Sequence, residues 1–207
     1  MQQVVLARGQ FASTALLGTG TIPEFTMKFC PSCGQPVELR VPAGDNLPRA
    51  VCSVCATIHY ENPRVIVGCV PEWQGRILLC RRAIEPRRGY WTTPAGFLEI
   101  GETLQSAAAR ESREEALAEV AIGSLLSVTN VLHAAQVHVM FRARMLDGQF
   151  GLGAESLEAG LYDEAEIPWD HIAFPSIDFA LRCFLADRST GVEALHFHDI
   201  DRRRALR

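Results

Sequence analysis

The chain has 207 residues, 48% of them hydrophobic and 21% charged, and a formal net charge of −4. That is the profile of a soluble globular protein with one ordinary domain and a small appendage. It argues against a general nucleic-acid binder, which is usually basic, and no run approaches the roughly 18 uninterrupted apolar residues of a membrane span.

Residues 1–26 carry only Arg8 and Glu24 as charges. They lack the basic start and apolar core of a signal peptide, and they read as a disordered or vector-derived extension. With seven cysteines and no secretory leader, a reducing, cytoplasmic setting is expected.

Residues 27–62 hold Cys30, Cys33, Cys52 and Cys55 among Gly34, Pro36, Pro42, Gly44 and Pro48. So many turn residues cannot build a core, and the segment needs another staple. Two C-x-x-C knuckles separated by 18 residues present four thiolates to one tetrahedral ion, the pattern of a Zn²⁺ ribbon. A closed four-cysteine shell has no open position, so this metal is expected to be structural. The segment has three basic and three acidic side chains, which gives it no bias toward nucleic acid. Cys69, Cys80 and Cys183 lie singly in apolar runs and read as buried thiols.

The pattern changes at Pro63, and 63–207 is expected to form a second domain. Val65 to Val70 reads as a buried strand, and Arg76 to Cys80 as another after a turn at Gln74-Gly75. Thr103 to Ala118 is helix-forming. From Val137 to Met145 apolar residues alternate with polar ones, predicting a half-exposed strand with Arg142 and Arg144 on its outward face. Ile177, Ala180, Leu181, Phe184 and Leu185 keep helical spacing, with Ser176 as N-cap and Gly191 past the end. The class is α/β or α+β with a mixed sheet.

Chemistry concentrates on the first helix. Glu111, Glu114 and Glu115 are spaced i, i+3 and i+4, which gathers three carboxylates on one face within about 6 Å. Like charges at that spacing repel, and a hard divalent cation with oxygen ligands would compensate. Arg110 and Arg113 are interleaved with them, so a solvated acidic face is the competing reading. The preceding loop, with Pro94, Gly96, Gly101 and Glu102, decides between the two.

From Gly96 to Ala118 the chain resembles the Nudix box, which is Gly, any five, Glu, any seven, Arg-Glu, apolar, any, Glu-Glu, any, Gly, apolar. Gly96, Glu102, Arg110, Glu111, Glu114 and Glu115 fall on its fixed positions. Ser112 stands at an apolar position and Leu117 at the late glycine, departures that touch packing and not the acids. The resemblance implies an α/β/α sandwich with a mixed sheet, in which Glu111, Glu114 and Glu115, with the carbonyl of Ala95, hold Mg²⁺ or Mn²⁺ against a substrate diphosphate. Glu102 and Arg110 would brace the loop carrying Gly96. The general base would come from a downstream loop, at Glu155 or Glu158. Among the arginines, Arg81 and Arg142 are the preferred phosphate contacts.

Residues 119–135 lack the motif of the NADH pyrophosphatases, and position 134 is alanine where many ADP-ribose pyrophosphatases have proline. From Cys30 to His198 the chain resembles the zinc-ribbon Nudix proteins related to the plant FAD pyrophosphatase. The matching segments include Cys30-Pro31-Ser32-Cys33-Gly34, Pro94-Ala95-Gly96, Glu155-Ser156-Leu157-Glu158 and Phe197-His198. That resemblance implies hydrolysis of FAD to FMN and AMP, or of ADP-ribose to AMP and ribose 5-phosphate. NADH is the alternative substrate, and a non-catalytic ligand-sensing regulator is the alternative class. The expected partner is a small dinucleotide, with no nucleic acid and no membrane, and the family implies a homodimer.

Overall fold

A computed structural model of the chain describes residues 27–201, so the expectation for residues 1–26 lies outside the described part. The chain divides into two compact units at Tyr60/Glu61.

In the first unit, β1 (Val37–Arg40), β2 (Arg49–Cys52) and β3 (Ile58–His59) pair antiparallel in that order. Among its described residues, apart from Pro42, the buried apolar ones are Cys30, Ala50, Val51 and Cys52. Four such residues cannot stabilise a domain by burial, which leaves the cysteines as the staple.

The second unit begins with β4 (Arg64–Trp73) and β5 (Arg76–Arg82). They are joined at Gln74 and Gly75, both with positive φ (51° and 83°), a turn that matches strand twist. Two short strands follow, β6 (Trp91–Thr92) and β7 (Ala95–Phe97), and then helix α1 (Leu104–Ala116). The remainder is β8 (Val120–Val131), β9 (Gln136–Met145), β10 (Ser156–Tyr162), helix α2 (Pro175–Thr190) and β11 (His196–Ile200). The sheet runs β10-β5-β4-β9-β8-β11, with β6 on β5 and β7 on β4. β4–β9 and β8–β11 are parallel and the other pairs antiparallel.

A helix covers each face of this mixed sheet. Val67, Cys69, Val139 and Phe141 pack with Ala107 and Ala108 of α1. Val70, Leu126 and Met140 pack with Ile177, Leu181 and Phe184 of α2. Because both faces are covered, β9 is not the half-exposed strand expected from its alternation. Arg142 is buried under α2, where it pairs with Asp187 and donates to the carbonyls of Leu125 (2.9 Å) and Ala194 (2.8 Å). Only Arg144 of that pair is exposed. At the start of α2 the N-cap is Phe174 with Pro175 in the first turn, and Ser176 lies inside the helix, buried.

Helix α1 opens with a reciprocal cap. Thr103 Oγ1 accepts from the Ser106 N–H (3.1 Å), and the Thr103 N–H reaches Ser106 Oγ (2.9 Å). It closes at Leu117, which adopts the left-handed φ of 49° that a glycine would reach freely. That conformation costs a leucine on the order of 1 kcal/mol. The other departure from the box, Ser112, is also accommodated. Its fully buried hydroxyl donates to the Ala108 carbonyl (3.1 Å) and lies 3.2 Å from Cys69 Sγ, so a thiol–hydroxyl pair replaces an apolar contact.

Candidate active site

Glu111 and Glu115 lie on the inward face of α1, 7% and 6% exposed, whereas Glu114 is exposed. Gly96 on β7 makes room for Glu111, because a Cβ there would lie 2.4 Å from Glu111 Oε1. The adjoining Ala95 N–H donates to Glu115 Oε2 (3.3 Å). Burial pushes Glu115 up to about 8, with the charge of Glu111 adding to it and the Ala95 N–H opposing. Burial likewise pushes Glu111 up, against the pull of Arg110.

Arg110 holds the loop to the helix. Its Nε and Nη2 grip both oxygens of Glu102 (2.8 and 2.9 Å), and Nη2 also donates to the Phe97 carbonyl (3.0 Å). Its Nη1 lies between Glu111 (2.7 Å) and Glu114 (2.8 Å), so in this arrangement a guanidinium takes the place of a cation between the two carboxylates. Two buried, proton-hungry carboxylates beside a third have the hard oxygen donors that a divalent ion takes, although here Arg110 bridges two of them and, among the described residues, only the cysteines form a ligand group within 4.8 Å.

The loop before β10 completes this side of the cleft. Glycine is required at 153, where a Cβ would meet the Glu114 carbonyl at 1.7 Å. The Gly153 N–H (3.1 Å) and Ser156 Oγ (2.7 Å) donate to the Glu115 carbonyl, and the Gly151 N–H donates to that of Ala116 (2.7 Å). These bonds satisfy carbonyls that the helix end leaves open, and they bring Glu155 to the cleft. Glu158, two residues into the strand, pairs instead with Arg81 (3.5 Å) at an exposed edge.

The cleft has a volume of about 950 Å³ and is lined by Arg82, Ala95, Gly96, Arg110, Glu111, Glu114, Glu115 and Glu155, and by a second group of residues from β9 and α2. Arg81 and Arg142, expected to contact phosphate, do not line it. Arg81 donates to the Gly89 carbonyl (2.9 Å) and faces Glu158, and Arg142 is held by Asp187. Besides Arg110, Arg82 and Arg87 line it, and Arg82 holds the Pro86 carbonyl (2.9 Å) and acts electrostatically on Glu115. Strand alternation carries that signal. Leu78 and Cys80 pack toward the end of α1, so Arg82 continues their row to the glutamates.

In the first unit the four sulfurs of Cys30, Cys33, Cys52 and Cys55 all lie within 4.8 Å of one another. Neighbouring sulfurs are 3.4, 3.5 and 3.7 Å apart, close to the about 3.8 Å edge of a tetrahedron with Zn–S bonds of about 2.3 Å. His59 Nε2 (3.2 Å from Cys30), Thr57 Oγ1 (3.1 Å from Cys55) and the Val54 and Cys55 N–H groups (3.4 Å from Cys52) surround the sulfurs with donors. The purified protein is expected to carry about one equivalent of zinc, the content of one four-sulfur site. Atomic emission finding well under half an equivalent would remove the ribbon assignment.

A mixed sheet between two helices, with a loop–helix that aims glutamates into a cleft, is the architecture of a Nudix hydrolase. The comparisons agree: the NUDIX domain family matches residues 62–175 and the Nudix N-terminal zinc ribbon matches residues 28–61, so the chain belongs to the Nudix family. A solved NUDIX hydrolase from Nitrosomonas europaea is 53% identical, spans 84% of this chain and 99% of its own, and superposes with a TM-score of 0.81. The NAD-capped RNA hydrolase NudC of Vibrio vulnificus (strain CMCP6) is 40% identical over 97 residues, 46% of this chain but 34% of that protein. The chain thus spans about a third of the length of that relative. An ADP-ribose pyrophosphatase of Methanocaldococcus jannaschii is 30% identical over 119 residues, 54% of this chain and 70% of that protein. Among the described residues no helix is long and apolar enough to cross a membrane.

Proposed function

We propose that the chain hydrolyses the diphosphate bond of an ADP moiety linked to a second group, with ADP-ribose and NADH-type dinucleotides foremost. The observation that carries this reading is the burial of Glu111 and Glu115 beside Glu114 and Glu155 in a cleft large enough for a dinucleotide. The names of the relatives support the ADP-ribose and NAD classes. FAD rests on the residue resemblance alone, and it shares the ADP half. A non-catalytic sensor would have no use for three intact glutamates, two of which are buried at a cost to the metal-free fold.

Glu111, Glu114 and Glu115, with the Ala95 backbone, would hold Mg²⁺ or Mn²⁺. When bound, such an ion neutralises diphosphate oxygens and acidifies a coordinated water. Arg82, whose Nε is held by the Pro86 carbonyl, would meet a phosphate oxygen through its remaining N–H groups. Arg110, held by Glu102, keeps Gly96 against the helix so that the carboxylates stay aligned. Glu155 is the proposed general base, accepting the proton of the attacking water. The zinc ribbon would act through structure only.

The test is a panel of ADP-ribose, NADH, FAD and an NAD-capped oligoribonucleotide with Mg²⁺ or Mn²⁺, products resolved by chromatography. AMP release from ADP-ribose or NADH is expected, and hydrolysis of none of the four would overturn the reading. A capped RNA presents the same bond, so the net charge of −4 does not separate it from a free dinucleotide.

A further inference from the structure

The cleft has a second wall, built by the start of β9 and the first turn of α2. With them lie Ile66 of β4, Val131 of β8, Phe174 and Ile177 at the start of α2, and Ile200 of β11, and a charge borders these at Arg82, whose guanidinium sits 5.0 Å from the Phe174 ring centroid toward the glutamate side. A polar chain is set into it. Gln136 and His138 project from the same face of β9, and Ser176 comes down from α2. His138 Nε2 lies 3.0 Å from Gln136 Oε1, and His138 Nδ1 lies 2.9 Å from Ser176 Oγ. His138 is 7% exposed and Ser176 1% exposed. Burial pushes the imidazole down to about 4, so it is neutral and carries one N–H.

That single proton and the orientation of the Gln136 amide together set the wiring. With the amide oxygen turned to the ring, Nε2–H donates to it and Nδ1 accepts the Ser176 O–H. The Gln136 amide N–H₂ and the lone pairs of Ser176 Oγ are left to serve whatever enters. The wall therefore offers donors beside an acceptor, flanked by apolar surface, with no charged group among the described residues hydrogen-bonded to the Gln136–His138–Ser176 chain. A planar, uncharged ring with an acceptor next to an N–H donor fits it. The N1 and N6 edge of a 6-aminopurine has that order, whereas a 6-oxopurine reverses it and would set donor against donor.

We propose that Gln136 and Ser176, positioned by His138, read the nucleobase of the substrate and select a 6-aminopurine over a 6-oxopurine. This rests on the reading that a nucleoside diphosphate occupies the cleft. His138 is a positioning residue, since its ring nitrogens are taken up by its two neighbours.

The test compares ADP-ribose with its inosine analogue under Mg²⁺, with AMP and IMP binding measured by calorimetry. The parent is expected to favour the amino form by ~10- to 100-fold in kcat/KM, since a site built to hydrogen-bond one edge is left unpaired by the other. Gln136→Leu should reduce the preference to within about threefold, through KM for ADP-ribose and not kcat. Gln136→Glu, which offers only acceptors, should move the ratio toward the inosine form. Ser176→Ala is the milder second variant, expected to lose about half of the preference in logarithmic terms. Equal kcat/KM for the two substrates in the parent, or a ratio unmoved in both Gln136→Leu and Ser176→Ala, overturns the proposal while leaving diphosphate hydrolysis intact. If neither substrate is hydrolysed, the catalytic reading fails separately, and AMP against IMP affinity still decides the base reading. Equal affinities in the parent would overturn it.

Discussion

Exchange of Glu115 for glutamine is expected to lower Mg²⁺-dependent turnover by ~10³-fold or more, since a metal ligand supplies several kcal/mol of transition-state charge stabilisation. The same exchange is expected to make the metal-free protein more stable at pH 8. Glu115 is buried and its pKa is pushed up to about 8 from an ordinary 4.5. A carboxyl raised in the folded state contributes its full stability below 4.5, where both states are protonated, and that stability is lost as pH rises through about 8. The metal-free parent therefore weakens across that window, by an upper limit on the order of 4 kcal/mol. Glutamine does not titrate, so the melting-temperature difference between variant and parent should widen from pH 5 to pH 8. His138, held neutral by burial, titrates the other way in acid, which is why the comparison is between variant and parent. Added Mg²⁺ should raise the melting temperature of the parent more at pH 8 than at pH 5, and raise that of the variant little. An unaltered rate, or a melting difference that does not change with pH, would refute the assignment of Glu115.

What the sequence made legible follows from how local each signal is. The box spacing already placed Gly96, Glu102, Arg110 and the three glutamates on one loop–helix, because helix periodicity and a tight turn are properties of neighbouring residues. The four cysteines were legible for the same reason, since each knuckle is a turn of four residues. Arg142 was misread because alternation along β9 is a local property, whereas the cover supplied by α2 comes from a segment beginning 33 residues later. A polar residue at an alternating position reads as exposed unless the second layer is known. The preference for Arg81 over Arg82 is a lesser failure, since the row Leu78, Cys80, Arg82 was available. The reader at Gln136, His138 and Ser176 was hidden differently. It spans 40 residues, and no single element carries more than two of its members.

The proposed base turns on strand phase, which composition leaves open. Glu155 and Glu158 sit three residues apart in one segment, and both resemble the downstream acid of the family. The loop that ties Gly153 and Ser156 to the end of α1 aims Glu155 into the cleft, where its charge is felt by both Glu111 and Glu115. Glu158 lies beyond the register shift in β10 and faces Arg81 in solvent, a pair worth little to stability and remote from the glutamates. Glu155→Gln is therefore expected to lower kcat by ~10²- to 10³-fold with KM changed only a few fold, the range for loss of a general base. Glu158→Gln should stay within about threefold of the parent, as expected for one partner of an exposed ion pair. Steady-state kinetics of both variants from pH 5 to pH 9 make the comparison. Loss of turnover in Glu158→Gln with Glu155→Gln unaffected would transfer the base to Glu158, and equal small losses would place it outside this loop.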